Sequence, residues 1–316
     1  MAHLPRCRYP SYKDISGHGI QILPDKLPLV SLSNAQQFRS INFRPVGIKS
    51  FGTGQILELS KIIAKSFVEK EPMNRHLQMP RAYNRTIHDI RHRDPYGIHA
   101  FGDWTKENNF YWFIRLMILT NPSSSIDNIE INEDLLDLSL AILNEQEQLA
   151  GGAYNITVAY ETEEHQPRSN DPFIEAILPL ADPPLALIIE QEHAAINALH
   201  TRFPSFKKAH IEGKVGCHFL VARSNLLPVE DTFELVAASI ERFLEMGYKY
   251  VVITATNEWT GAACEVLGGI KVHYAPYRLE KRVPESKNAP PDLAHSSDGY
   301  LSDKDSGSMF YLIKLQ

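Results

Sequence analysis

Two short apolar segments flank an amphipathic segment between residues 215 and 255, and this arrangement constrains the fold most strongly. Val215 to Ala222 and Tyr250 to Ala255 are rich in strand-forming residues and too short for helices, whereas Phe233 to Met246 has apolar residues at helical spacing. A strand, a helix and a second strand of the same sheet form a parallel, right-handed crossover. The sequence therefore predicts an α/β fold built around this unit.

Further elements are predicted on both sides of the crossover. A short strand at residues 41–46 precedes a helix with apolar residues at 56, 59, 62, 63 and 67. The other predicted elements are a hairpin of strands 138–144 and 149–158, a helix at 185–199, a short helix at 258–267, and strands at 270–277 and 310–315. Parallel and antiparallel strands together predict a mixed sheet.

The chain is predicted to form one domain with an extension and insertions. Residues 1–40 have no sustained periodicity and are interpreted as an N-terminal extension, and residues 41–316 as the domain. Residues 281–308 contain three prolines, several serines and many charges, with almost no large apolar side chains. Because such a segment cannot bury enough apolar surface to offset its entropy, we expect a flexible loop there.

Charge and cysteine content exclude several classes of protein. With 316 residues and a net charge of -6, the chain lacks the basic surface that nucleic-acid binding requires. The first residues contain no continuous apolar run, so we expect neither a secretory signal nor a membrane segment, and a cytoplasmic location. Three scattered cysteines predict reduced thiols and no disulfide framework.

Two local motifs resemble the GCN5-related N-acetyltransferase (GNAT) family. Residues 143–152 are similar to its second-to-third strand hairpin, in which glycine follows the turn. Residues 254–269 are similar to its asparagine, short helix and Leu-Gly ending, with Asn257, Leu267 and Gly268 at the matching positions. The resemblance implies a GNAT acyltransferase fold and a transfer of acetyl, or another acyl group, from acyl-CoA to the amine of a small molecule or peptide.

The resemblance also implies where acetyl-CoA binds. In this fold the cofactor's pantetheine arm pairs with the backbone of the fourth strand, at positions matched here by Leu220 and Ala222. Backbone donors of the next loop and helix hold the pyrophosphate, which assigns Val229, Asp231 and Thr232 to cofactor binding. Asn257 either meets the pantetheine amide or caps the short helix.

The pyrophosphate loop departs from the family pattern. The family has Gln/Arg-x-x-Gly-x-Gly/Ala, whereas residues 227–232 are Leu-Pro-Val-Glu-Asp-Thr, with Glu230 at the first glycine position. Like charges about 4 Å apart near a surface repel by about 4 kcal/mol, so carboxylates here can oppose the pyrophosphate. Asp231, with Glu234 three residues later, also fits a helix N-cap. The alternative function is therefore a non-catalytic GNAT-fold binding protein that has lost coenzyme A.

Two residues are candidates for proton transfer. His218 resembles a strand histidine that arylalkylamine-type members use as base or base relay, and its alternative is a buried histidine satisfied by the backbone. Strand alternation places Cys217 on the opposite face. Cys264 lies where the family commonly has a tyrosine that protonates the leaving thiolate, and its alternative is core packing.

A metal site is not expected. His88 and His92 have the i, i+4 spacing of helical metal ligands, with His99 nearby. Arginines crowd this segment with positive charge, and Pro95 and Gly97 interrupt it. We therefore interpret residues 88–99 as a polar loop near the acceptor entrance.

Overall fold

The computed structural model describes seven ranges of the chain: 19–37, 44–70, 131–158, 160, 183–223, 230–276 and 307–316. The predicted loop at 281–308 lies outside the described residues except for its last two positions, which belong to a strand. The histidines at 88, 92 and 99 and the first part of the predicted strand at 41–46 also lie outside them.

The described residues form nine strands and seven α-helices. The strands are β1 Gly19–Ile20, β2 Leu29–Val30, β3 Val46–Gly47, β4 Leu140–Leu143, β5 Leu149–Thr157, β6 Val215–Arg223, β7 Tyr250–Ala255, β8 Ile270–Pro276 and β9 Gly307–Leu315. The helices are α1 Leu32–Gln36, α2 Thr53–Lys70, α3 Glu133–Leu138, α4 Pro183–Arg202, α5 Pro204–Ile211, α6 Glu230–Glu245 and α7 Glu258–Val266.

All nine strands belong to one mixed sheet. Its order is β1-β8-β9-β7-β6-β5-β4-β3, and β2 pairs with the end of β9. The β6–β7 and β2–β9 pairs are parallel and the others are antiparallel. The α/β mixed sheet predicted from the sequence is confirmed, as are the parallel pairing of β6 with β7 and the β4–β5 hairpin.

Helices cover both faces of the sheet, as alternation along the strands requires. On one face, Val252 of β7 packs with residues of α4 and α5, and Leu220 of β6 packs with residues of α2. On the other face, Val251 and Ile253 of β7 pack with residues of α6 and α7. We call these the α4 face and the α6 face.

The hairpin turn is held by the side chain of Asn144. Its Oδ1 accepts hydrogen bonds from the backbone N–H groups of Gln146 and Gln148, at 3.0 and 2.9 Å. Glu147 has a φ of 59°, in the left-handed region. The asparagine thus supplies local bonds that stabilise the strained turn.

The segment at residues 19–37 is part of the sheet and its packing. β1 pairs with β8, β2 pairs with β9, and α1 lies against α6, where Ala35 is fully buried. Ser31 begins α1 with a capping box: its side chain accepts from the backbone N–H of Asn34, and the Asn34 side chain accepts from the Ser31 N–H.

Candidate functional site

The sheet opens between β6 and β7. The two strands pair only from Val215 to Cys217, opposite Tyr250 to Val252. Beyond these residues β6 continues to Arg223 against β5, while β7 continues to Ala255 against β9. The facing edges of residues 218–223 and 253–255 therefore have no strand between them in the described part of the chain. We call this opening the slot.

A β-bulge lies at the root of the slot. Tyr154 of β5 is opposite Leu220 of β6, but Asn155 is opposite His218, which leaves Phe219 as an extra residue on β6. A bulge bends its strand and increases the local twist. Phe219 lies two residues beyond Cys217, where the pairing with β7 ends, so the bend coincides with the divergence of the two strands.

His218 belongs to a buried polar network at this bulge. Its Nδ1 lies 2.8 Å from Oδ1 of Asn155. Both N–H groups of the Asn155 amide are used, one by the carbonyl of Leu138 at 2.9 Å and one by Oγ of Ser239 on α6 at 3.1 Å. Asn155 Oδ1 therefore accepts from His218 Nδ1, and this arrangement assigns the proton of the neutral ring to Nδ1.

The other ring nitrogen of His218 carries a lone pair. Nε2 is buried and has no hydrogen-bond partner among the described residues, and the side chain is 3% exposed. Burial lowers the pKa of His218 from 6.5 to about 4, because the charged imidazolium is poorly solvated there. The ring is thus neutral at neutral pH, with an unsatisfied acceptor next to the root of the slot.

The α4 face of the slot carries a carboxylate that sequence analysis missed. Oγ1 of Thr254 donates to Oε1 of Glu192 at 2.6 Å, and Thr254 lies on β7 two residues beyond its last pairing with β6. Burial raises the pKa of Glu192, and the Thr254 hydrogen bond partly opposes that rise. The residue as a whole is half-buried.

The arrangement of strands and the slot at one parallel pair agree with what the local motifs imply. The α/β mixed sheet is thus the fold that the resemblance to the GNAT family implies. The two candidate proton acceptors, His218 and Glu192, lie on opposite faces of the sheet at the slot. Strand alternation also places Cys217 opposite His218 as predicted, because Cys217 packs with Leu199 of α4.

Solved structures with similar folds have little sequence identity to the chain. The match to the C-terminal condensation domain of Ebony in complex with beta-alanyl-dopamine covers 86% of this chain and 97% of that domain, at 10% identity and a TM-score of 0.49. Arylalkylamine N-acetyltransferase 2 from Aedes aegypti covers 86% and 99%, at 16% identity and a TM-score of 0.47. A mosquito arylalkylamine N-acetyltransferase like 5b covers 75% and 97%, at 13% identity and a TM-score of 0.33. No protein-family model and no curated protein matches the sequence.

The residues predicted to hold the cofactor are, where the structure describes them, on β6, on α6 and at the start of α7. Leu220 and Ala222 are buried, on the stretch of β6 that pairs with β5 but not with β7. Val229 lies outside the described residues, while Asp231 and Thr232 lie in the first turn of α6. The sequence-based start of this helix at residue 233 is wrong by three residues, and Asp231 is therefore inside the helix and not its N-cap. Acidic residues are stabilising in the first turn of a helix, because their negative charge lies near the positive end of the helix dipole.

Asn257 caps the short helix that follows β7. It has an extended backbone, and its Oδ1 accepts a hydrogen bond from the backbone N–H of Thr260 at 2.9 Å. This is the N-cap arrangement that sequence analysis offered as one of two roles. Contact with a pantetheine amide stays a prediction.

Cys264 lies in the hydrophobic core. Its side chain is fully buried among residues of α1, α6 and α7 and the sheet, and burial raises the pKa of its thiol far above the ordinary range. This environment matches the packing alternative, and Cys264 has no exposed surface with which to meet a leaving group. We therefore omit it from the proposed chemistry.

Two general features of the described residues bear on partners. None of the helices in these ranges is both long and apolar enough to traverse a bilayer. Nor do the side chains there include three or more His, Cys, Asp or Glu grouped as metal ligands.

Proposed function

We propose that the protein is an acyl-CoA-dependent N-acyltransferase that transfers acetyl, or another acyl group, to an amine of a small molecule or peptide. The observation that supports this most directly is the slot. An unpaired strand edge inside a sheet offers backbone donors and acceptors that need partners, and the amide groups of a pantetheine arm can supply them. The chemistry supplied by acyl-CoA is an activated thioester.

The chain's own residues would hold the two ends of the cofactor differently. The backbone around Leu220 and Ala222 would pair with the pantetheine arm. The first backbone N–H groups of α6 have no acceptors within the helix, and they lie at the positive end of its dipole. Both features favour binding of a pyrophosphate. The unusual Glu230 and Asp231 lie in that first turn, so their charges weaken this attraction without removing the backbone donors.

The reaction needs one base and no intermediate on the protein. The acceptor's ammonium loses a proton, its nitrogen forms a bond with the thioester carbonyl carbon, and the carbon–sulfur bond then breaks. The departing thiolate takes the second proton of the amine. His218 is the base implied by the family resemblance, and Glu192 is a second group available at the slot.

Calorimetric titration with acetyl-CoA tests the proposed function. A 1:1 complex with a dissociation constant below about 1 mM, accompanied by a rise in the melting temperature, is expected of the enzyme. Neither heat nor a thermal shift would favour the alternative, a GNAT-fold binding protein that has lost coenzyme A. The observation that motivates this alternative is the pair of acidic residues in the first turn of α6.

Glu230→Gln is expected to tighten acetyl-CoA binding about fivefold, because it removes a negative charge from the first turn of α6 while keeping the side chain's size. The gain should be larger at low salt, where screening is weakest. Calorimetry at two salt concentrations measures both effects. The matched control is Glu245→Gln at the other end of the same helix, which should leave the affinity unchanged. Equal affinities of the Glu230 variant and the parent protein at both salt concentrations would contradict the pyrophosphate position.

A further inference from the structure

Glu192 has a fixed position over the slot. The preceding residue, Gln191, ties α4 to the sheet: its Nε2 donates to the carbonyls of His273 and Ser308 at 2.8 and 3.0 Å, and Oγ of Ser308 donates to its Oε1. Thr254 then holds one oxygen of Glu192 at 2.6 Å. Contacts from three strands therefore define where this carboxylate lies.

Within the ranges that the structure describes, no Lys, Arg or His forms an ion pair with the Glu192 carboxylate. Burial raises the pKa of Glu192, and the Thr254 hydrogen bond lowers it. The titratable group that senses its charge from β6 is the thiol of Cys217, whose pKa is raised by burial and by Glu192. A partly buried carboxylate is costly without a cation or a full set of donors. A substrate with a positive charge would provide the missing partner.

The geometry points to Glu192 as the residue that binds the acceptor's ammonium group at the slot and removes its proton. This inference rests on the proposed N-acyltransferase activity and narrows the acceptor to an amine that is cationic at neutral pH. It places the acceptor on the α4 face of the slot, next to Thr254 and Cys217.

The proton balance of the step is complete. The ammonium donates one proton to a carboxylate oxygen of Glu192, and the freed nitrogen lone pair forms the bond to the thioester carbon. The carbon–sulfur bond breaks, and the second proton of the amine goes to the departing sulfur. Glu192 returns its proton to solvent once the slot is open again, before the next turnover.

His218 is less suited to this role. Its Nε2 is buried, the ring faces Asn155 and α6, and a pKa of about 4 makes it a weak base toward an ammonium. Glu192 has a raised pKa, and its Oε1 is held by Thr254 beyond the last pairing of β7 with β6, where the slot opens.

The test compares the Glu192→Gln variant with the parent protein in acetyl-CoA binding and in turnover. Turnover is followed as thiol release with three primary amines as probes: butylamine, 2-phenylethylamine and a lysine-containing peptide. Gln keeps an oxygen for Thr254, so the fold should be retained. We expect unchanged acetyl-CoA affinity and about a hundredfold loss in kcat/KM for the amine that the parent protein uses best. Glu212→Gln, at an exposed glutamate after α5, is the control and should retain full turnover.

The pH dependence of kcat/KM separates catalysis from structural support. The parent protein should gain activity as pH rises through the pKa of Glu192, and Glu192→Gln should lack this limb. Thr254→Val removes the hydrogen bond that lowers this pKa, so its limb should move to higher pH. If the rise of kcat/KM with pH remains in Glu192→Gln but disappears in His218→Gln, the assignment is overturned in favour of His218.

The two proposals fail in different ways. Absence of acetyl-CoA binding by the parent protein removes the acyltransferase function itself, and the Glu192 assignment with it. Tight binding of acetyl-CoA without turnover of any of the three amines keeps a coenzyme A site but overturns the acceptor assignment. Full turnover by Glu192→Gln overturns it as well.

Discussion

Replacing Gly216 with valine is expected to lower the free energy of unfolding by about 3 kcal/mol. Gly216 lies on β6 opposite Val251 of β7, in the short paired segment at the root of the slot. A Cβ atom there would lie 2.2 Å from the ring of Phe243 on α6. Phe243 is fully buried and packs edge-on against Tyr248, so its ring cannot turn away without disturbing the core.

Chemical denaturation of the variant measures this loss. Gly47→Val is the matched control, since Gly47 is also a strand glycine but has nothing within 4 Å of its Cβ position. A Gly216→Val, Phe243→Leu double variant replaces the opposing ring with a smaller side chain. It should recover part of the lost stability, because the two sites are in contact. Additive effects of the two changes would show that Phe243 is not what excludes a side chain at residue 216.

The second large effect is a loss of stability in mild acid that depends on His218. Its pKa is about 4 in the folded protein and 6.5 as an ordinary histidine, so between these values the unfolded chain binds a proton that the folded chain does not. Stability is therefore unaffected by this group above pH 6.5, falls as pH decreases through 6.5, and stops falling below about 4. The full loss is about 3 kcal/mol.

Denaturation curves recorded from pH 7.5 to pH 4 for the parent protein and for His218→Gln give this contribution as a difference. The subtraction is needed because burial also lowers the pKa of His200 and His273, which act in the same direction. Gln retains an N–H group that can donate to Asn155. Parallel pH profiles of the two proteins would contradict a buried, neutral His218.

The main elements of the fold were predictable because their signals are local. β7 is a continuous run of strand-forming residues and has the predicted bounds of 250–255. Three of the described helices, α1, α3 and α5, were not predicted, since five to eight residues are too few to establish a period. α5 also follows α4 after a single residue, Phe203, and its start is marked only by Pro204 at the first turn.

The site was only partly predictable, because its chemistry depends on contacts between distant residues. The sequence indicated His218, but its partner Asn155 is 63 residues away, and the bulge at Phe219 sets their register. Glu192 did leave a local signal. Position 192 falls four residues after Ile188 and four before Ile196, inside the apolar stripe of the helix, where a carboxylate is out of place. Such an interruption is a marker for a functional side chain.

The position of β9 between β7 and β8 has a consequence for the order of folding. β7 and β8 follow each other along the chain with only α7 between them, yet they do not pair, because β9 pairs with both. The two earlier strands thus have to leave a gap until Gly307–Leu315 inserts into it. Contacts between strands so far apart in sequence form slowly. Refolding should therefore be limited by this insertion, and until it occurs the hydrophobic edge of β7 is available to other unfolded chains.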